Sequence, residues 1–169
     1  EIAPDEPEEC TIPCGMDLPW SLLTLPSVLF LEEEIRGMGA QDAYRNYKKY
    51  LQLLSWQIGE REDPRRWLLK CPFHPMFMDE LAEVFPDATI VWTHRDPAEC
   101  VVSTCSLYEG LLKHFMEHDS IDKHIIGEKT LAYSVKQLNR AAEHIQQKGL
   151  PLINVYYSEF SKDPKATVL

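Results

Sequence analysis

The stretch WLLKCPFHPMFMDELAEVFPDATIVWTHRDPAECVVS, residues 67–103, decides the fold. Trp67-Leu68-Leu69 is a short apolar run that ends at Lys70 and is broken by Pro72. Ala88 to Thr93 is a second run, rich in β-branched and aromatic residues, and it ends at His94-Arg95-Asp96-Pro97. Between them, after Pro75, MFMDELAEVF has the spacing of a short amphipathic helix that stops before Pro86. The order predicted is therefore strand, helix, strand, helix. Continuous apolar strands alternating with helices predict an α/β fold with a parallel sheet covered on both faces. Ligands of open sheets of this kind bind outside the carboxyl ends of the strands. Lys70 and Arg95 both fall there, which points to an anionic ligand.

The flanking sequence extends the pattern. Asp96-Pro97 is a helix start, with Asp as N-cap and Pro at the first helical position, and Ala98, Val101, Val102, Cys105, Tyr108, Leu112 and Phe115 form its expected core face. A longer helix is expected from about Ser120 to Lys148, burying Leu131, Val135, Leu138, Ala142 and Ile145, with Gly149 as its C-cap. Leu152 to Tyr157 reads as a third strand, and Asp163-Pro164 as the start of another helix. Upstream, Tyr44, Tyr47, Leu51, Leu54 and Ile58 recur at helical spacing within residues 40–58. Residues 60–66 form a charged loop. Residues 1–39 are acidic and proline-rich, expected to be extended, with a short helical turn near Trp20–Leu25.

With 169 residues and 44% hydrophobic content, the chain suits one domain around one core. We expect residues 1–169 to be one partial domain, with 1–39 as an extended segment and 40–169 as the α/β core. The absence of Met at position 1 suggests a fragment. The net charge of −10 is concentrated: the first 34 residues hold nine acids and no Lys or Arg, leaving 18 acids against 17 bases in the rest. No basic stripe exists for nucleic acid, and no apolar run reaches the ~20 residues of a membrane span. Cys10, Cys14, Cys71, Cys100 and Cys105 are an odd set. Cys10 and Cys14 lack a second pair to complete a zinc site, so no metal is expected. Cys100 and Cys105 sit in an apolar helical pattern as small hydrophobes. Reduced thiols suggest a cytoplasmic setting.

Arg95 stands where a strand meets a capped helix, so it can share a phosphate with the helix N-terminus, and its planar fork suits bidentate phosphate binding. The plainer alternative is an ion pair with Asp96 or Glu99. Ser103, eight residues on, could offer a hydroxyl to the same anion or be a tolerated small residue. Lys70 can neutralise charge on a transferring group or be an exposed strand-end lysine. His74 can take a proton from an acceptor hydroxyl, and only its nearness to the strand ends separates it from His114, His118, His124 and His144.

These elements together resemble the sulfotransferase family that uses 3′-phosphoadenosine-5′-phosphosulfate. In that family an Arg-Asp-Pro or Arg-Asn-Pro turn follows a strand and a serine lies eight residues after the arginine, as in Arg95-Asp96-Pro97 and Ser103. The resemblance implies a three-layer parallel sheet of the P-loop nucleoside-triphosphatase kind, incomplete here. It also implies Arg95 and Ser103 as the grip on the 3′-phosphate, Lys70 as stabiliser of the transferring sulfonate, and His74 as base. Val155-Tyr156-Tyr157-Ser158-Glu159-Phe160 resembles a later strand whose tyrosine lies near the adenine, which suggests Tyr157. The implied reaction passes a sulfonate to a hydroxyl or amine of a small-molecule or carbohydrate acceptor, with 3′-phosphoadenosine-5′-phosphosulfate (PAPS) as donor and adenosine 3′,5′-bisphosphate (PAP) as product. The family's Gly-rich phosphosulfate loop and its late Arg-Lys-Gly segment do not occur in these residues. Two other readings follow: a P-loop phosphotransferase, for which no Walker-type loop exists, and an inactive chain that serves in binding or interaction.

Overall fold

The computed structural model describes residues 29–58, 66–114, 116–117, 120 and 122–168. The turn expected at Trp20–Leu25, Cys10, Cys14, Phe115 and most of the charged loop lie outside the described residues. The chain divides into two compact units, Glu1–Val84 and Phe85–Leu169.

The first unit contains α1 (Glu32–Gly37), α2 (Gln41–Ile58), a 3-10 turn (His74–Phe77) and α3 (Met78–Val84). α2 buries Tyr44, Tyr47 and Leu51, the face its spacing predicts. α1 corrects the expectation that residues up to 39 are extended. Its Glu32, Glu33 and Glu34 occupy the first turn, where carboxylates favour the helix dipole. Ile35 is buried, and Gly39 leaves the helix at φ 70°, a conformation that glycine adopts without penalty. All five prolines of the N-terminal segment precede α1, so none interrupts it.

Arg36 fastens α1 to α3. Its guanidinium lies 2.6 Å from Asp79, pairs also with Glu80, and stands 5.2 Å from the centre of the buried Phe77 ring. Burial would raise the Asp79 carboxyl, but its hydrogen bond with Glu80 and the charge of Arg36 hold it down at about 2. Burial and the same Asp79 contact push Glu80 up, against the opposing pull of Arg36. Lys48 Nζ donates to the Val84 carbonyl at 2.9 Å and ties α2 to the end of α3.

Residues 66–71 form no strand, contrary to expectation. Trp67 and Leu68 are exposed, Leu68 at 87%, and Trp67 Nε1 donates to Ser55 Oγ at 2.9 Å. An apolar triplet has strand character only when a neighbouring strand takes its backbone groups, and Pro72 shortens this one. Apolar content alone misled the reading.

The second unit holds β1 (Ile90–His94), α4 (Pro97–Leu112), α5 (Lys123–Lys148), β2 (Leu152–Tyr156), α6 (Tyr157–Phe160) and α7 (Pro164–Val168). β1 and β2 pair in parallel, from Ile90 opposite Leu152 to His94 opposite Tyr156. α4 and α5 form the crossover that parallel pairing requires. The expected helix signals hold. The Asp96 carboxylate accepts from the Ala98 and Glu99 amides at 2.8 and 3.2 Å, a cap worth about 1 kcal/mol. Asp122 caps α5 the same way, and Gly149 closes it at φ 63°. Asp163 accepts from the Ala166 amide at the start of α7.

The architecture is thus α/β with a small two-stranded parallel sheet among the described residues. That sheet is not covered on both faces, since Val91 is 47% and Ile153 51% exposed. The expected core faces of the helices also shift. α4 buries only Tyr108, while Val102 is exposed and Cys100, read as a packed thiol, is exposed too. α5 buries Ile126, Thr130, Gln137, Ala141 and Ile145, leaving Leu131, Val135 and Leu138 about half exposed. This is a rotation of about one residue, or 100°. Several stripes of α5 are apolar enough to be buried, so the neighbour decides which one is.

Candidate functional site

In the second unit, β1 ends at His94 and α4 starts at Pro97, leaving Arg95 in the two-residue joint. The adjoining strand ends at Tyr156, so the next residue, Tyr157, opens α6 at the same edge. The Arg95 guanidinium stands 5.1 Å from the centre of the Tyr157 ring. Its Nε donates to Glu99 Oε2 at 3.0 Å. That hydrogen bond, and the charge of Glu99, raise the Arg95 pKa, so the group is a permanent cation. An anion arriving here must draw the fork away from Glu99. That exchange costs little, because both side chains are exposed and solvent screens the pair.

The structure therefore brings Arg95 and Tyr157 together. Ser103 is the seventh residue of α4, roughly 9 Å along the axis from Pro97, and makes no hydrogen bond to Arg95. It is exposed on the helix surface. The Asp96 cap takes the Ala98 and Glu99 amides, so an anion at this helix start meets donors already in use.

His94 is a neighbour that sequence reasoning passed over. It shares a 2.7 Å hydrogen bond between its Nε2 and Asn154 Oδ1, and it stacks on Tyr156 with ring centres 4.8 Å apart. These contacts join the two strands across the same edge from which Arg95 and Tyr157 emerge. The only sequence signal for it was the position of His94 at a strand end. A cleft of about 500 Å³ opens beside Trp92, His94 and Asn154, against Ile145 and Leu150 of the α5 end. Arg95, Ser103 and Tyr157 do not line it.

The first unit holds the other two expected residues. Lys70 is exposed in the irregular segment before the 3-10 turn and does not end a strand. His74 opens that turn, with its Nδ1 2.9 Å from Tyr44 Oη and its ring tilted 35° to the tyrosine. Tyr44 is fully buried on α2. Its spacing marked it as core and gave no sign that its hydroxyl holds a histidine. Loss of solvation lowers the His74 pKa to about 4, so the imidazole is neutral at physiological pH.

This shift makes stability depend on pH. In the unfolded chain His74 takes a proton near 6.5, in the folded chain only near 4. Between those values the unfolded state binds more protons, so folding weakens as pH falls from 6.5 towards 4, by up to about 3 kcal/mol. Urea midpoints at pH 7.0 and 4.5 should show this loss, and His74→Gln should flatten it. An unchanged slope in the variant would assign the loss to other groups. Asp79, with its lowered carboxyl, contributes a separate loss only as pH falls from 3.8 to about 2.

A sequence model of the sulfotransferase family matches residues 25–169, most of the chain. The chain belongs to the sulfotransferase family. No curated protein and no solved structure matches it. The family transfers sulfonate groups, generally from PAPS with release of PAP. Within the matched region lie the Arg95-Asp96-Pro97 joint, Lys70 and His74. Among the described residues of this family member, no cluster of three His, Cys, Asp or Glu could hold a metal, and no helix is long and apolar enough to cross a membrane.

Proposed function

We propose that this chain binds PAPS through Arg95 and transfers its sulfonate to a hydroxyl or amine of a small-molecule or carbohydrate acceptor. The observation that carries the reading is the placement of Arg95, a cation between a parallel strand end and a capped helix, with the Tyr157 ring against it. A cation there suits the 3′-phosphate, and the neighbouring ring offers a face to the adenine. Ser103 is assigned to the same phosphate, which requires the nucleotide to lie along the first turns of α4. The three-layer P-loop-like sheet implied by the family is part of this proposal.

In the chemical step the acceptor oxygen or nitrogen forms a bond to sulfur while the bond from sulfur to the bridging phosphate oxygen breaks in line. The acceptor proton passes to a base and then to solvent, and PAP departs with the electron pair. Lys70 is assigned to neutralise negative charge building on the sulfonate and the leaving phosphate. His74 is assigned as the base for the acceptor proton. Rate enhancement then rests on positioning and charge stabilisation.

Titrating the folded chain with PAP, against adenosine 5′-monophosphate, tests the donor site. Tighter binding of the bisphosphate is the expected result, because only it carries the 3′-phosphate. Equal affinity for the two would count against the reading and favour an interaction module.

A further inference from the structure

We infer that the cleft between the β1–β2 sheet and the end of α5 is a binding site for a flat, uncharged, mostly apolar small molecule that carries a hydrogen-bond acceptor, such as a ketone or amide oxygen. The site lies wholly within the second unit, and the inference does not rest on sulfonate transfer.

Local rules build the walls. Side chains alternate along a strand, so residues two apart share a face, and the parallel register sets Trp92 beside Asn154. The Trp92 and His94 rings stand on that face 15° from parallel, with centres 6.2 Å apart. On α5, Ala142, Ile145 and Gln146 recur at helical spacing and share one stripe, and all three line the cleft. The helix ends at Gly149, whose φ of 63° turns the chain so that the Leu150 amide donates to the Ile145 carbonyl at 3.1 Å. Helix ends of this kind bring the residue after the glycine against the residue that accepts its hydrogen bond, and Leu150 and Ile145 both line the cleft. The Ile90 amide donates to the Pro151 carbonyl at 2.8 Å and ties the turn to the start of β1. Backbone hydrogen bonds therefore hold the walls before any ligand arrives. The volume of about 500 Å³ falls within the roughly 300–1,000 Å³ usual for small-molecule sites.

The lining selects the ligand. Trp92, Ile145, Leu150 and Leu152 suit a flat apolar body. No Lys, Arg, Asp or Glu is among the lining residues, so a charged head would give up water without gaining an opposite charge. The carbonyl end of α5 also disfavours an anion. The polar contact is fixed by His94, the one ionisable side chain of the lining. Its Nε2 donates to Asn154 Oδ1 at 2.7 Å, because the amide oxygen can only accept. That leaves the two N–H groups of Asn154 Nδ2, which make no hydrogen bond among the described residues. A wall that offers donors calls for an acceptor oxygen.

Acetophenone is the probe. Ethylbenzene, which has nearly its shape without the oxygen, and benzoate, which carries a charged head, are the comparators. Each is titrated into the full chain and followed by ¹H–¹⁵N correlation spectra. Acetophenone is expected to shift the Leu150 and Leu152 amides and the Asn154 side-chain amide. It should bind about 3- to 10-fold tighter than ethylbenzene, the worth of one hydrogen bond, and tighter than benzoate. Ala142→Phe, at an exposed position of α5, should fill the cleft and abolish these shifts. Saturating PAP should leave acetophenone binding unchanged, since Arg95, Ser103 and Tyr157 do not line the cleft. Absence of shifts at the cleft, equal binding of ethylbenzene, tighter binding of benzoate, displacement by PAP, or unaltered binding in Ala142→Phe would each overturn the inference. Should Ala142→Phe fail to fold, the wild-type shifts and the three affinities decide. A chain that binds acetophenone but shows no preference for PAP would count against the proposed function and leave this site standing.

Discussion

Arg95→Ala is expected to weaken PAP binding by about 10- to 100-fold while leaving adenosine 5′-monophosphate binding unchanged. The estimate follows from hydrogen bonds to charged groups, worth about 1.5–3 kcal/mol, with each 1.4 kcal/mol equal to tenfold in affinity. The loss should be confined to the nucleotide with a 3′-phosphate, since Arg95 is assigned to that group. Arg95→Lys should fall between, because a lysine keeps the charge but not the planar fork. The fold should survive both changes: the side chain is exposed, and its pair with Glu99 stabilises little. Calorimetric titration of each variant with both nucleotides makes the comparison. An equal loss for the two would point to an indirect effect on the joint between β1 and α4. No loss for either would place the phosphate elsewhere.

Phe77→Ala should destabilise the first unit by about 3–5 kcal/mol, the range for emptying a fully buried aromatic position. Phe77 is completely buried at the end of the 3-10 turn, and Arg36 lies over its ring. Truncation would open a cavity and also remove the apolar surface that keeps the Arg36 pairs with Asp79 and Glu80 from water. Phe77→Leu, which keeps most of the volume, should cost about 1 kcal/mol. Urea unfolding of the full chain, with m-values compared, gives the difference. A cost below about 1 kcal/mol for the alanine variant would mean that α1 and α3 are held mainly by other contacts. The same variant should release His74, three residues upstream in the same turn, from Tyr44.

How much was legible beforehand depended on whether the determinant was local. Asp96-Pro97, Gly149 and Asp163 act within one turn of their own backbone, and each does what its residue type suggested. β1 and β2 were legible for a related reason: both are short runs rich in β-branched and aromatic residues ahead of a helix start, and each found the other as a parallel partner. Trp67-Leu68-Leu69 has the same composition but no pairing strand among the described residues, and it stays irregular. α1 was hidden because its short acidic sequence forms a helix only with Ile35 buried and Arg36 paired to a helix more than forty residues away.

The candidate site divides in the same way. From sequence alone came Arg95 at a strand-to-helix joint, Ser103 eight residues on, Lys70 and His74 around Pro72, and Tyr157 after the last strand. Together they carry the resemblance to sulfotransferases. Tertiary structure alone decided that Tyr157 lies against Arg95, that His94 and Asn154 bond across the two strands beneath them, and that Tyr44 reaches His74 across thirty residues. The physical reason is range. Caps, turns and strand runs are satisfied by neighbours in the chain, so residue type is enough to announce them. The partner of a histidine, the partner of a guanidinium and the buried stripe of a helix are set by whatever the fold brings alongside.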